Sequence, residues 1–304
     1  MSSTAAPEIY VNSWNFRGYP LARAIAKAEE YGYDGVEVWA GHYQLDTLEA
    51  TLAGAQRIAL DAGIAVPVLN LSGNVIEDDS AAREARIGRL TEIIARCPQH
   101  GIRIVNGYAG SVILDRDDWG KNGSAAATPE HFDRATDAYQ RLGLAAQRAG
   151  VLLTLEVHMN SIHDTAASAA RLLDSIDSPA VRANFDAGNM YGTSTAEHAV
   201  EAIAILGPRI AYAHCKNARR ASYQPAGIDY HYDLAGGDLD YYAITLALYQ
   251  SGFRGPYAIE YSGAGDRAVV TRNDLHYLRE LLAEVAEVPE ESAALENTAY
   301  QEPL

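Results

Sequence analysis

The 304-residue chain is short of cysteine, of basic charge and of long apolar runs. Two cysteines, Cys97 and Cys215, are too few for a disulfide framework. That fits a reducing compartment, and cytoplasmic localisation is the expectation. Lys and Arg number 24 against 40 Asp and Glu, a formal net charge of −16. So acidic a protein repels phosphate backbones, which argues against nucleic-acid binding. Arg219–Arg220, just after Lys216, is the one tight basic group. No stretch approaches the ~18 apolar residues of a membrane span. The first eight residues show no basic segment followed by an apolar run, so no signal peptide is expected. A Gly-rich phosphate turn is also missing: Trp14-Asn-Phe-Arg-Gly-Tyr19 follows the first strand-like run. That argues against a doubly wound open sheet.

What is present is a repeat of short apolar runs and longer amphipathic ones. Hydrophobic residues make up 48% and charged residues 21%, a globular composition. Strand-like runs fall at 9–14, 35–39, 66–71, 102–106, 151–157, 181–186, 210–214 and 257–261. Helical patterns are expected at 21–31, 45–62, 80–97, 129–149 and 273–285, with Gly32 and Gly63 as stops and Pro129 as a start. A long polar loop spans 114–128. Eight strand–helix units imply a parallel sheet with right-handed crossovers, closed on itself. The expected fold is an α/β single-domain (β/α)8 barrel over residues 8–288. Residues 1–7 are expected as a flexible N-terminus, and 289–304 as an acidic extension that is flexible or touches a neighbour.

In such barrels the chemistry sits at the C-terminal ends of the strands. Four polar residues stand there on consecutive strands: Glu156, Asp186, His214 and Glu260. Three carboxylates and an imidazole suit one divalent ion, Mn²⁺ first, with Mg²⁺, Co²⁺ or Zn²⁺ as alternatives. Singly, each such residue is more often a helix cap or an ion-pair partner; the joint pattern carries the argument. Side chains two apart share a face of a strand. His158 therefore goes with Glu156, and Lys216 with His214, as catalytic or supporting groups, while Cys215 turns to the helices. Trp14, Trp39, Tyr108 and Tyr261 are aromatic candidates to stack on a ligand, and Asn189 offers a neutral hydrogen-bonding group beside Asp186.

The segments Leu155-Glu-Val-His158, Asn184-Phe-Asp-Ala-Gly-Asn189, Ala213-His-Cys-Lys216 and Ala258-Ile-Glu-Tyr261 resemble the xylose-isomerase-like barrel superfamily. Gly35-Val-Glu37 and Gly236-Gly-Asp-Leu-Asp-Tyr241 fit the same pattern. The superfamily includes sugar isomerases and epimerases, inosose dehydratases and endonuclease IV. The resemblance implies that Glu156, Asp186, His214 and Glu260 hold the metal and that the two glutamates exchange a substrate proton. Trp14, Glu37, Trp39, Asn70, Tyr108 and Asn189 are the expected substrate contacts. Two departures stand out. Asn189 replaces the histidine usual three residues after the Asp in keto-sugar epimerases, and His158 follows Glu156 where those epimerases have no histidine. The Glu-x-His pattern resembles dehydratase and lyase-like branches.

The chemistry this implies is enolisation. A metal chelates a ketone oxygen and a neighbouring hydroxyl, and a base takes the adjacent proton. Candidate bases are Glu156, Glu260 and His158, with Lys216 neutralising the oxyanion. Returning the proton gives a sugar isomerase or epimerase, the first expectation. Expelling a β-substituent gives a lyase acting on a keto-inositol or an oxidised C-glycoside, the alternative. Endonuclease chemistry would need more metal ligands than nine histidines suggest, and a basic face. A non-catalytic binding barrel would give the converging carboxylates no purpose. The expected partner is a small carbohydrate, with neither nucleic acid nor membrane. A homo-oligomer is expected, or a second kind of subunit closing the site.

Overall fold

The computed structural model describes residues 6–193, 197–223 and 227–288. Eight parallel strands close into a barrel: β1 (Ile9–Asn12), β2 (Gly35–Val38), β3 (Ala65–Asn70), β4 (Ile104–Gly107), β5 (Leu152–Glu156), β6 (Val181–Asp186), β7 (Ile210–Cys215) and, after a two-stranded insertion, β10 (Tyr257–Ile259). β10 pairs with both β7 and β1, which shuts the ring. The helices α1 (Leu21–Tyr31), α2 (Leu48–Ala62), α3 (Ser80–Arg96), α4 (Pro129–Ala149), α5 (Ala166–Ile176), α6 (Ala187–Tyr191), α7 (Ala199–Leu206), α8 (Tyr241–Gln250) and α9 (Arg267–Glu287) follow the strands. The single-domain (β/α)8 barrel read from the sequence is the fold observed. No described helix is long and apolar enough to cross a membrane. Residues 1–5 and 289–304, most of the two expected terminal segments, lie outside the described residues.

The period-two alternation of the strands divides the core in two. On β5, Leu153 and Leu155 face the helices, while Leu152, Thr154 and Glu156 face the barrel axis. Outward residues of all eight barrel strands join apolar faces of the helices in one large cluster. Inside, Tyr10, Val68, Ile104, Tyr212 and Ala258, with Leu152, fill the N-terminal half of the barrel. Above them the interior turns polar: Glu37, Asn106, Thr154 and Asn184 are all fully buried. The packed floor excludes water, so each of these polar groups must find partners within the barrel.

Several boundaries differ from the sequence reading. α2 begins at Leu48 rather than Leu45, whose side chain is exposed. β4 begins at Ile104 rather than at residue 102. α9 begins at Arg267, six residues before the expected start, because Asp266 caps it by accepting from Val269 N. The unit after β6 is split into the short α6 and then α7. The expected polar loop at 114–128 holds two 3₁₀ turns, Trp119–Lys121 and Gly123–Ala125. The largest addition is an antiparallel hairpin, β8 (Asn217–Arg220) with β9 (Ile228–Tyr232), standing on the C-terminal mouth. Its strands are polar and lack the apolar run that marks a barrel strand.

Candidate metal centre

Each element ends by delivering one ligand-type side chain. Glu156 is the last residue of β5 and Asp186 the last of β6. His214 lies in β7, opposite Asp186 in register. Glu260 follows β10 directly, its N–H donating to Cys215 O. One ligand atom from each of these four residues lies within 4.8 Å of the others. Nδ1 of His214 is 3.2 Å from Glu260 Oε2, 3.6 Å from Glu156 Oε1 and 3.8 Å from Asp186 Oδ2. Asp186 also caps α6, Oδ1 accepting from Asn189 N at 2.9 Å. This cap turns the chain sharply beside β7. A Cβ on Gly188 would lie 2.5 Å from Lys216 O, so only glycine fits there.

The ring of His214 is oriented from below. Its Nε2 lies 2.8 Å from Glu37 Oε2, and Tyr212 OH donates to that same oxygen at 2.8 Å. Asn70 and Asn106 each donate an amide hydrogen to Glu37 Oε1 at 3.3 Å. Asn106 donates as well to Glu156 Oε2 at 2.9 Å, while its carbonyl oxygen accepts from Thr154 and Asn184. Asn189 Nδ2 reaches Glu156 Oε1 at 2.9 Å and Asp186 Oδ2 at 2.7 Å. On the β7 side, Lys216 Nζ lies 3.1 Å from Glu260 Oε1 and 3.3 Å from Asp186 Oδ2.

Four carboxylates, from Glu37, Glu156, Asp186 and Glu260, thus meet two basic groups in direct contact, His214 and Lys216. Burial works against the charged forms of Glu156, Asp186, Glu260, His214 and Lys216. For Asp186 burial wins: its carboxyl is pushed up to about 6, with Lys216 opposing and Glu156 and Glu260 adding. For Glu156 burial is outweighed by His214, His158 and Lys216, which hold it well below the usual carboxylate range. Glu260 is likewise held at about 2 against burial, by Lys216 and His214. Burial would lower Lys216, but Asp186 and Glu260 keep it well above an ordinary lysine. Burial would lower His214 too, and Glu37 and Glu156 raise it.

These residues fit a divalent cation. Even with His214 protonated, the cluster carries two negative charges in excess, in a pocket with little water to screen them. Among the described residues, His214 Nδ1 and Asn189 Oδ1 are the buried side-chain nitrogen and oxygen atoms with no hydrogen-bond partner. A buried imidazole nitrogen with no hydrogen-bond partner, aimed at three carboxylates, is an atom that could hold a cation. Three oxygens and one nitrogen form a hard-to-borderline donor set.

The remaining sequence candidates separate into two groups. His158, two residues past Glu156, is half-buried, stacked on Tyr108 with centroids 5.0 Å apart, and its Nδ1 lies 2.9 Å from Met159 O. Trp14 and Trp39 pack edge to face at 4.8 Å, and Trp14 Nε1 donates to Ser262. These four line the mouth. Glu37 and Asn189, expected as substrate contacts, are fully buried and spend their contacts on the ligand set. Asn70 is half-buried and gives its amide to Glu37. Tyr261 is buried, its hydroxyl donating to Ala264 O, which makes it packing rather than a sugar platform. Cys215 is buried and faces the helices, as strand alternation requires.

Sequence reasoning missed Thr154, Asn184 and Tyr212, although each lies two residues before a member of the cluster, Glu156, Asp186 or His214, and so shares its face. It missed Tyr230 for lack of any signal. From β9 its hydroxyl donates to Gly188 O at 3.1 Å, and its ring stacks at 6.4 Å on Trp119 from the loop after β4.

The model of a family described as the xylose isomerase-like TIM barrel matches residues 25–281. The chain belongs to the xylose isomerase-like TIM barrel family. Solved structures agree in fold. A xylose isomerase-like TIM barrel protein from Mycobacterium smegmatis, in complex with magnesium, superposes with a TM-score of 0.71 at 20% identity over 92% of this chain and 98% of that one. D-allulose 3-epimerase from Methylomonas sp. gives 0.73 at 19% identity over 92% and 100%. A probable 3-DHS dehydratase of petrobactin synthesis from Bacillus anthracis gives 0.70 at 17% identity over 90% and 98%. No curated protein matches the chain by sequence.

Proposed function

We propose that this chain removes a proton beside the carbonyl of a keto sugar or close sugar derivative, as sugar isomerases and epimerases do. The cofactor of this reading is one divalent ion, Mn²⁺ first, held by Glu156, Asp186, His214 and Glu260. The observation that carries it is the convergence of three carboxylates on a buried imidazole nitrogen that has no other partner. Bound there, a divalent cation supplies the Lewis acidity that makes an enediolate accessible.

The chain's own groups have separate tasks. The Met159 carbonyl can only accept, so the His158 proton resides on Nδ1 and Nε2 is left as a base. His158 then takes the substrate proton at the mouth. Lys216, a cation held between two carboxylates, offsets negative charge developing on the substrate oxygen. Trp14 and Trp39 supply apolar faces for the sugar ring, and Tyr108 packs His158 in place. Cytoplasmic location and a homo-oligomer, or a second subunit closing the mouth, belong to the same proposal.

A second reading, elimination, rests on a specific observation. Epimerisation needs a base on each face of the substrate. Glu156 accepts from Asn106 and Asn189, and Glu260 from Lys216, which leaves His158 as the base outside that network. His158 is then a one-sided base, which suits loss of a β-substituent from a keto-inositol or an oxidised C-glycoside.

The test incubates Mn²⁺-loaded enzyme in D₂O with ketoses, keto-inositols and 3-keto-glycosides, then chelates the paramagnetic ion and reads the products by proton NMR. Deuterium in a rearranged sugar of unchanged composition supports the isomerase reading. A released group or an unsaturated ketone supports elimination. No exchange with any of them at full metal occupancy refutes both.

A further inference from the structure

His214 can meet a cation through either ring nitrogen, and only one of them faces the carboxylates. We propose that Glu37 is a positioning residue that makes Nδ1 of His214 the metal-binding nitrogen, and so sets the affinity of the centre. This rests on the metal reading of the site.

Glu37 sits on β2, across the barrel from the β5–β7 ligands, and is fully buried. A group so enclosed needs partners, and three side chains donate to it, Tyr212 at one oxygen and Asn70 and Asn106 at the other, while His214 Nε2 lies 2.8 Å from the first. Tyr212 and the two amides already donate to both Glu37 oxygens, so Glu37 accepts and His214 Nε2 supplies the hydrogen of its bond. With Nε2 so occupied, the ring nitrogen open to a cation is Nδ1, the atom 3.2 to 3.8 Å from Glu260, Glu156 and Asp186. The ring cannot turn over without giving up the Glu37 bond. Asn106 extends the effect, because the amide that bonds Glu37 also bonds Glu156, so the floor fixes two ligands of the four. Partners of this kind orient metal-bound histidines, and their loss typically weakens metal binding about 10–100-fold.

Chelator-stripped wild type, Glu37→Gln, Glu37→Met and Tyr212→Phe are titrated with Mn²⁺ by calorimetry. Glu37→Met, with no carboxylate, should bind about 10–100-fold more weakly. Glu37→Gln keeps an acceptor oxygen without its charge and should fall between Glu37→Met and wild type, which preserves the test if Glu37→Met does not fold. Tyr212→Phe leaves the Glu37–His214 bond and should stay within a few-fold of wild type. A tautomer readout separates positioning from mere packing. In Zn²⁺-loaded ¹⁵N-labelled protein, His214 should show a protonated Nε2 and a metal-bound Nδ1, and this signature should be lost or mixed in Glu37→Met. Wild-type affinity in both Glu37 variants, or metal on Nε2 in wild type, overturns the proposal. Failure of wild type to bind Mn²⁺ at all overturns the metal reading itself, and the proposal with it.

Discussion

Asp274→Asn should stabilise the protein at alkaline pH and do little near pH 5. Asp274 lies on α9, 3% exposed, and its Oδ1 accepts from Leu234 N at 2.9 Å. Leu234 begins the return from the β8–β9 hairpin to α8, where Tyr241 brackets the backbone of Lys216. Burial pushes the Asp274 carboxyl from 3.8 to about 7, with the Leu234 bond opposing and Asp233 adding. The folded pKa lies above the unfolded one. The contribution to stability is therefore complete below the unfolded value and is lost as pH rises through the folded one. About three pKa units at ~1.4 kcal/mol each set a ceiling of ~4 kcal/mol on the cost of ionising this group at pH 8, and by pH 5 that cost is less than half as large. Asparagine never ionises and keeps an acceptor for Leu234, but loses the charge-assisted part of that bond, ~1 kcal/mol. The net gain at pH 8 is ~2–3 kcal/mol, roughly 3–5 °C in Tm for a chain this long. Calorimetric melts of metal-stripped wild type and variant, at pH 8 and pH 5, measure it. A variant less stable than wild type at pH 8, or a gain equal at both pH values, refutes the reasoning.

Other outcomes follow from the centre. Glu156→Gln and Glu260→Gln should each abolish turnover, about a thousandfold or more, read as substrate deuterium exchange. His214→Ala should lower Mn²⁺ occupancy in equilibrium dialysis; occupancy equal to wild type would remove it from the ligand set. Gly188→Ala drives a methyl into the Lys216 carbonyl, and should cost about 1–3 kcal/mol in urea unfolding. His158→Ala with full activity would return the role of base to a glutamate.

The barrel was legible because each strand carries an apolar run and each helix a distinct periodicity. The cluster of Glu156, Asp186, His214 and Glu260 was legible for a related reason: a carboxylate or imidazole ending an apolar run has few reasons to be there. What lay beyond reach was depth along the axis. Glu37 and Asn189 read as substrate contacts, since period two says which face a side chain takes and not whether another side chain stands above it. Glu37 lies beneath His214, and Asn189 is folded back by the Asp186 cap onto Glu156. The hairpin was illegible for a different cause. Asn217-Ala-Arg-Arg220 has no apolar alternation, and its pairing with Ile228–Tyr232 arises only where the barrel mouth supports it. Tyr230 and Trp119, which meet over that mouth, went unseen with it.

Crystals of the chelator-stripped protein, soaked in Mn²⁺ and measured at wavelengths that reveal manganese, examine the proposed centre itself. A single anomalous peak per chain is expected among Glu156, Asp186, Glu260 and Nδ1 of His214, with Nε2 still on Glu37. No peak there at saturating Mn²⁺, or a peak held by other residues, would contradict a metal centre at this site and the chemistry proposed from it.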